Sequence, residues 1–251
     1  MEFPKICNDN LYLREKIPVH QEAWSPKEFE EKLMALSYRY HINHPLDKEF
    51  MNGKATRELM KSWVANRFYY QTTIPRKDAA LLSNCPVREV RQVWIKNITD
   101  HDQEDGGINK WLSLAEKVGL TREELLDHRH VLPGVKFACD AYYHFVKNSD
   151  WKIGIASCLT VLFACNIHQT RIDKWPEHYQ WLDKEAYEYF FNRLIQAKNE
   201  RDYALEFVLE NFTTPEEQVR VLEVIKFKQD ILWSILDNVY IYHFTDFYNG
   251  I

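Results

Sequence analysis

Glycine is scarce, with seven in 251 residues. All-β and doubly wound folds need glycine in turns and phosphate loops, so both classes are disfavoured. No GxGxxG, GxxxxGK[ST] or GxSxG occurs, which removes the usual marks of nucleotide-dependent and α/β-hydrolase chemistry. HExxH is missing too. The paired Glu-x-x-His of bundle di-iron sites is likewise missing, since Glu177 stands directly beside His178 and no segment repeats the spacing. Thirty-two basic against thirty-seven acidic side chains give a net charge of −5, which argues against nucleic acid as a partner. No run of ~18 uncharged apolar residues is present, so no membrane span is expected. Glu2, Lys5 and Asp9 break up the N-terminus and leave no apolar signal-peptide core. The five cysteines, Cys7, Cys85, Cys139, Cys158 and Cys165, are odd in number and lack CxxC spacing. They read as reduced residues of a cytoplasmic protein.

What is present is apolar and aromatic material, 45 % and 14 % of the chain, enough for a substantial core. Residues 1–24 show no period and read as a loosely structured extension before a helical domain over 25–251. Ser25-Pro26-Lys27-Glu28 starts a helix that ends in Tyr40-His41-Ile42-Asn43-His44-Pro45. A short helix stops at Asn52-Gly53, and Thr56 caps a long one to about Ser83. Helices are then expected over Glu89–Asp100, Ile108–Val118 and a short piece after Thr121, followed by one from Pro133 to about Lys147. Asp150 caps another that reaches His168 or Arg171, and Pro176 breaks the chain. Asp183 caps a long helix to about Asn211, and Thr214 caps the last to about His243. No strand-like alternation of useful length occurs. The expectation is an all-α, single-domain bundle of about seven helices.

The stretch Trp63-Val64-Ala65-Asn66-Arg67-Phe68-Tyr69-Tyr70-Gln71-Thr72-Thr73-Ile74-Pro75 does not read as packing alone. Arg67, Tyr70 and Gln71 fall at i, i+3 and i+4, on one helical face. Burying three such polar groups is costly unless something binds them. A solvated face is the plain alternative. Pro75 is expected to kink or re-aim this helix. The pattern recurs at His168 and Arg171, at Tyr189 and Arg193, and at Lys228, with Tyr40-His41 and His101 near helix ends. Singly, such histidines are often dipole partners and such lysines snorkel. Together, cations, histidines and tyrosines from several helices suit a compact, planar polyanion. His101 with Asp102 and Glu104 invites a metal reading, which the missing signatures disfavour. Cys158 and Cys165, seven apart, read as packed thiols.

The same residues resemble the pyrroloquinoline-quinone synthase family. The resemblance rests on the Trp63–Pro75 stretch and on Asp100-His101-Asp102 with Glu104-Asp105-Gly106-Gly107. It also rests on Arg129-His130-Val131-Leu132-Pro133-Gly134-Val135, Ile167-His168-Gln169 and Asp230-Ile231-Leu232-Trp233-Ser234. It covers about residues 25 to 243. It implies a haem-oxygenase-like, TenA-like fold without haem, assembled as a homodimer. It also implies ring closure and eight-electron oxidation of a quinoid tricarboxylate to pyrroloquinoline quinone, with O2 as co-substrate, hydrogen peroxide released, and no metal or redox cofactor. By resemblance His101, Tyr189, Arg193 and His168 are the catalytic positions. Tyr40, His41, Arg67, Tyr70, Gln71, Tyr142, Thr160, Arg171 and Lys228 are the substrate-binding ones. The chain departs from the family at Asn97, where arginine is usual, at Val161, where glutamate is usual, and in a shorter loop after Asp102. A di-metal oxygenase on the same fold and a non-catalytic quinone carrier are the alternatives.

Overall fold

Side-chain caps set where most of the helices begin. The computed structural model describes residues 18–20 and 22–246, apart from the side chain of residue 199. The expected 1–24 extension therefore lies mostly outside the described residues, as does Cys7. Helix α1 (Pro26–Ala35) starts at a reciprocal Ser25–Glu28 capping box. Two 3-10 turns, Leu36–Arg39 and His41–Asn43, lead to α2 (Pro45–Met51). Gly53, at φ +70°, then reverses the chain in the left-handed region that suits glycine. Thr56 caps α3 (Arg57–Asn84). Next come α4 (Arg88–Asp102), α5 (Gly107–Lys117), the short α6 (Arg122–Leu126) and α7 (Pro133–Asn148). Helix α8 (Trp151–Ala156) passes through a 3-10 segment, Ser157–Phe163, into α9 (Ala164–His178). After a 3-10 turn at Lys184–Tyr187 the chain closes with α10 (Glu188–Asn211) and α11 (Pro215–Phe244).

Among the described residues there is no strand, and seven α-helices (α3, α4, α5, α7, α9, α10 and α11) are eleven residues or longer. The all-α expectation holds, with two corrections to its details. Helix α3 runs through Pro75 to Asn84, one residue beyond its expected end, because a proline removes one helical hydrogen bond while the buried flanks keep the rest. The single rod expected after Asp150 tightens at Ser157, where the Ser157 hydroxyl donates to the Gly154 carbonyl at 2.6 Å and draws it from the α ladder. Helix α9 then continues to His178 with Pro176 inside it, two residues beyond the expected break.

Trp151–His178 is long and apolar enough, by length and composition, to cross a membrane, although no uninterrupted apolar run marked it in the sequence. Of its most apolar window, 67 % is buried inside the bundle, as in the core helix of a folded domain. The core centres on Trp63, Trp111, Trp175 and Phe50, whose rings lie 5.3–5.7 Å apart in tilted and edge-on contacts. Such pairs add ~0.5–1.5 kcal/mol each beyond area burial. This cluster fixes the N-terminal half of α3, and the residues beyond it on the same helix face a cavity.

Candidate active site

The cavity, of about 100 Å³, lies where α3, α4, α7, α9, α10 and α11 converge. Ten of the thirteen sequence-predicted residues line it. Arg67 and Tyr70 come from α3, His101 from the last turn of α4, and Tyr142 from α7. Thr160 comes from the 3-10 segment, His168 from α9, Tyr189 and Arg193 from α10, and Lys228 from α11. Tyr40 closes the wall from the turn before α2. The other three, His41, Gln71 and Arg171, are buried one layer behind. Gln71 accepts a hydrogen bond from the Tyr189 hydroxyl at 2.9 Å. His41 donates from Nδ1 to Asp47 at 2.7 Å, and Arg171 donates to the other oxygen of Asp47 at 2.8 Å.

Sequence reasoning missed four charged residues. Asp47, fully buried, ties two of the predicted residues together. Lys77 and Asp78 form a buried pair at 2.5 Å on the cavity wall. Glu200 grips Arg193 through both guanidinium nitrogens, at 2.7 and 3.0 Å. Only this last pair carried a local signal, since residues seven apart share a helical face. Asn97 and Val161, where the resemblance leads one to expect arginine and glutamate, both line the cavity.

His101 is held as a neutral base. Its Nδ1 lies 3.0 Å from the Asn97 carbonyl, which can only accept, so the proton sits on Nδ1 and Nε2 offers its lone pair. That Nε2 is buried with no hydrogen-bond partner. Burial, and then the Arg193 charge, lower the imidazole pKa from its ordinary value. The backbone around it is crowded: a Cβ on Gly106 would lie 2.6 Å from the His101 carbonyl, so only glycine fits there. His168 is driven well below the usual range by burial and then by Arg171 and Arg193. His41 falls to about 4, chiefly through burial, while Asp47 is held at about 2 because Arg171 and His41 outweigh its burial.

The phenols stay protonated and act as donors. Burial pushes Tyr40 up to about 12 and raises Tyr70, Tyr142 and Tyr189 as well. The cations differ among themselves. Arg67 stacks over the Tyr70 ring at 4.2 Å. Burial lowers Arg193, but Glu200 more than offsets that and holds its proton firmly. Lys228, 1 % exposed, lies 3.1 Å from the Tyr142 ring centroid and 4.3 Å from that of Tyr70. Its Nζ has no hydrogen-bond partner. Burial and the neighbouring Lys77 lower its pKa well below the ordinary lysine range. The invited metal group does not assemble, since His101 is buried while Asp102 and Glu104 are exposed. Among the described residues no three His, Cys, Asp or Glu side chains gather as a metal-ligating group. The arrangement can bind an anion between cations, stack a planar ring on phenols, and accept a proton at His101.

Comparison with known proteins places the chain in a family and a fold. Residues 31–238 match the model of the TENA/THI-4/PQQC family. The pyrroloquinoline-quinone synthase of Ectopseudomonas mendocina is 51 % identical over 220 residues, 86 % of this chain and 88 % of that one. The pyrroloquinoline-quinone synthase of Klebsiella pneumoniae strain 342 is 52 % identical over 219 residues, 86 % and 87 % of the two chains. Among solved structures, a haem-oxygenase-like domain of unknown function from Shewanella denitrificans superimposes with a TM-score of 0.73 at 17 % identity. That match covers 91 % of this chain and 97 % of the other. A TenA homologue from Pseudomonas syringae gives 0.69 at 13 % identity, covering 90 % and 98 %. These two likenesses establish the fold.

Proposed function

The chain belongs to the TENA/THI-4/PQQC family and, within it, to the pyrroloquinoline-quinone synthases; on that premise we propose that it makes pyrroloquinoline quinone in the last step of that cofactor's biosynthesis. The substrate is a quinoid tricarboxylate, which closes a ring and loses eight electrons to O2. If every O2 stops at peroxide, each takes two electrons and two protons, so four are consumed and four peroxides leave. The observation that supports this most is Lys228, a fully buried amine laid over two phenol rings without a hydrogen-bond partner. An amine so placed gains a proton and a partner together when a carboxylate enters. Arg67 and Arg193 stand on the same cavity wall for further anionic groups, while Arg171, committed to Asp47, acts from the layer behind.

His101 takes substrate protons at Nε2 and returns them as a general acid. Tyr189, oriented by Gln71, and Arg193, oriented by Glu200, donate to negative charge developing on reduced oxygen. The apolar bundle around the cavity excludes water from these steps. The functional unit is proposed to be a homodimer, which light scattering on the purified protein tests.

The decisive assay supplies the quinoid precursor in air to purified, chelator-treated protein and follows O2 uptake, peroxide and quinone absorbance. Turnover with peroxide release supports the reading. Activity lost on chelation and restored by a metal refutes its cofactor independence. Stoichiometric binding of the quinone without O2 uptake instead supports the carrier reading, which Asn97 and Val161 on the cavity wall favour.

A further inference from the structure

Cys158 lines the cavity among groups that the proposed reaction leaves unused. Its Sγ is 2.9 Å from Lys77 Nζ and 4.0 Å from the Tyr142 hydroxyl. Burial pulls the Lys77 pKa down, but Asp78 and Cys158 outweigh it and raise it well above the ordinary value, so Lys77 remains an ammonium. An ammonium against sulfur stabilises the negative charge a nucleophilic thiol must carry. The other described cysteines lack this setting. Cys158 and Cys85 each donate to a backbone carbonyl, of Gly154 at 3.5 Å and of Val87 at 3.6 Å, so the Lys77 ammonium is what sets Cys158 apart. Burial pushes the Cys139 thiol up to about 12. Cys165 packs in a small apolar cluster with Val161, Ala164 and Ala197. A second feature marks the same space as a place for a small polar ligand. The unpartnered Nζ of Lys228 lies over the ring of the Tyr142 that flanks Cys158.

We infer that Cys158 is a peroxide-reactive thiol, converted by hydrogen peroxide to a sulfenic acid that lowers the cavity's affinity for its quinone. The source of the peroxide, and hence the role as a brake, rests on the proposed function; the reactivity of the thiol does not. In the step, sulfur attacks one peroxide oxygen, an S–O bond forms and the O–O bond breaks. Sulfur gives up two electrons, the departing hydroxide takes the proton that left the thiol, and water is released. Lys77 stabilises the thiolate before the transfer and the hydroxide after it. The added oxygen occupies a cavity of only about 100 Å³ and competes for the Lys77 charge. A thiol reductant reverses the change.

The test uses the full chain, graded additions of hydrogen peroxide, dimedone trapping and peptide mass spectrometry. Cys158 should be half-labelled at about tenfold less peroxide than Cys85, Cys139 or Cys165. Binding of pyrroloquinoline quinone, followed by equilibrium dialysis, should weaken about tenfold on oxidation and recover with dithiothreitol. Cys158→Ser should lose the early label and the peroxide sensitivity of binding together. Labelling of Cys158 no earlier than the other thiols overturns the inference, as does unchanged quinone affinity after oxidation. Untreated protein that fails to bind the quinone removes the proposed function and the brake with it. The order of labelling decides the reactivity of the thiol independently of that result.

Discussion

Replacing Asp47 by asparagine should destabilise the protein more than any exposed substitution, although it exchanges a single heavy atom. The carboxylate is completely buried, with one oxygen 2.7 Å from His41 Nδ1 and the other 2.8 Å from an Arg171 nitrogen. Arg171 is itself 3 % exposed, and its Nε has no hydrogen-bond partner. Its remaining support is aromatic, from Trp63 at 4.8 Å and Trp175 at 5.5 Å. Removing one partner of a buried ion pair costs ~3–5 kcal/mol, and the amide oxygen left to Arg171 puts this change near ~3. For a chain of this size, that lowers Tm by roughly 6–12 °C. Acid sensitivity should change as well. The native carboxyl titrates at about 2 against 3.8 ordinarily, so the unfolded chain takes up the proton first as the pH falls. Asp47 therefore stabilises the fold fully above about pH 4, and that contribution, roughly 2 kcal/mol, is lost as the pH falls through about 2. Asp47→Asn should lack this part of the acid transition and keep the part due to Glu200, which shifts in the same direction. Thermal and urea unfolding from pH 2 to 7 measure both effects. Asp47→Leu with Arg171→Met, which strands no charge, should recover most of the loss. A single mutant melting within ~1 °C of the parent, or a strictly additive double mutant, refutes the reasoning.

Three further outcomes are expected. His101→Ala should leave quinone binding intact and slow oxidation ~10²–10⁴-fold in single-turnover absorbance traces; near-normal turnover would remove His101 from the mechanism. Arg193→Lys keeps the charge but cannot reproduce the two-pronged contact with Glu200, so oxygen consumption should fail, and full activity would reduce Arg193 to charge neutralisation. Asn97→Arg and Val161→Glu should each lower stability, and the pair should regain ~1 kcal/mol or more in a double-mutant cycle; additivity would mean the two positions act independently.

Much of the fold was written locally. Ser25, Thr56, Thr121 and Thr214 announce helix starts by hydrogen-bonding the next few residues, and each does so here. Asp183, expected to cap the long helix, instead caps the 3-10 turn Lys184–Tyr187 and leaves α10 to begin at Glu188 without a side-chain cap. The 3-10 tightening at Ser157 was not legible, because it turns on which carbonyl a hydroxyl selects. Cavity residues on helices, such as Arg67, Tyr189 and Lys228, stood out as polar groups in aromatic surroundings. Asp47 did not. In sequence it reads as an ordinary first-turn acid of a short helix, and its guanidinium partner lies 124 positions away. Charge pairs of that reach leave no periodicity to find, whereas Arg193 and Glu200, on one helix, could have been matched by spacing.

Helix α3 places Arg67, Tyr70, Ile74, Lys77 and Asp78 on the cavity and Trp63 in the aromatic core. It therefore works as a ruler, with the core as its zero mark. Adding or deleting one residue between Trp63 and Arg67 would turn every later side chain of the helix by about 100° and shift it by about 1.5 Å along the axis. Lys77 would leave the neighbourhood of Cys158, and Tyr70 would leave that of Lys228. Length changes are tolerable only in the connections between helices, such as the turn after Asp102. Over the ruler itself, changes of side-chain identity are the one adjustment open to the site.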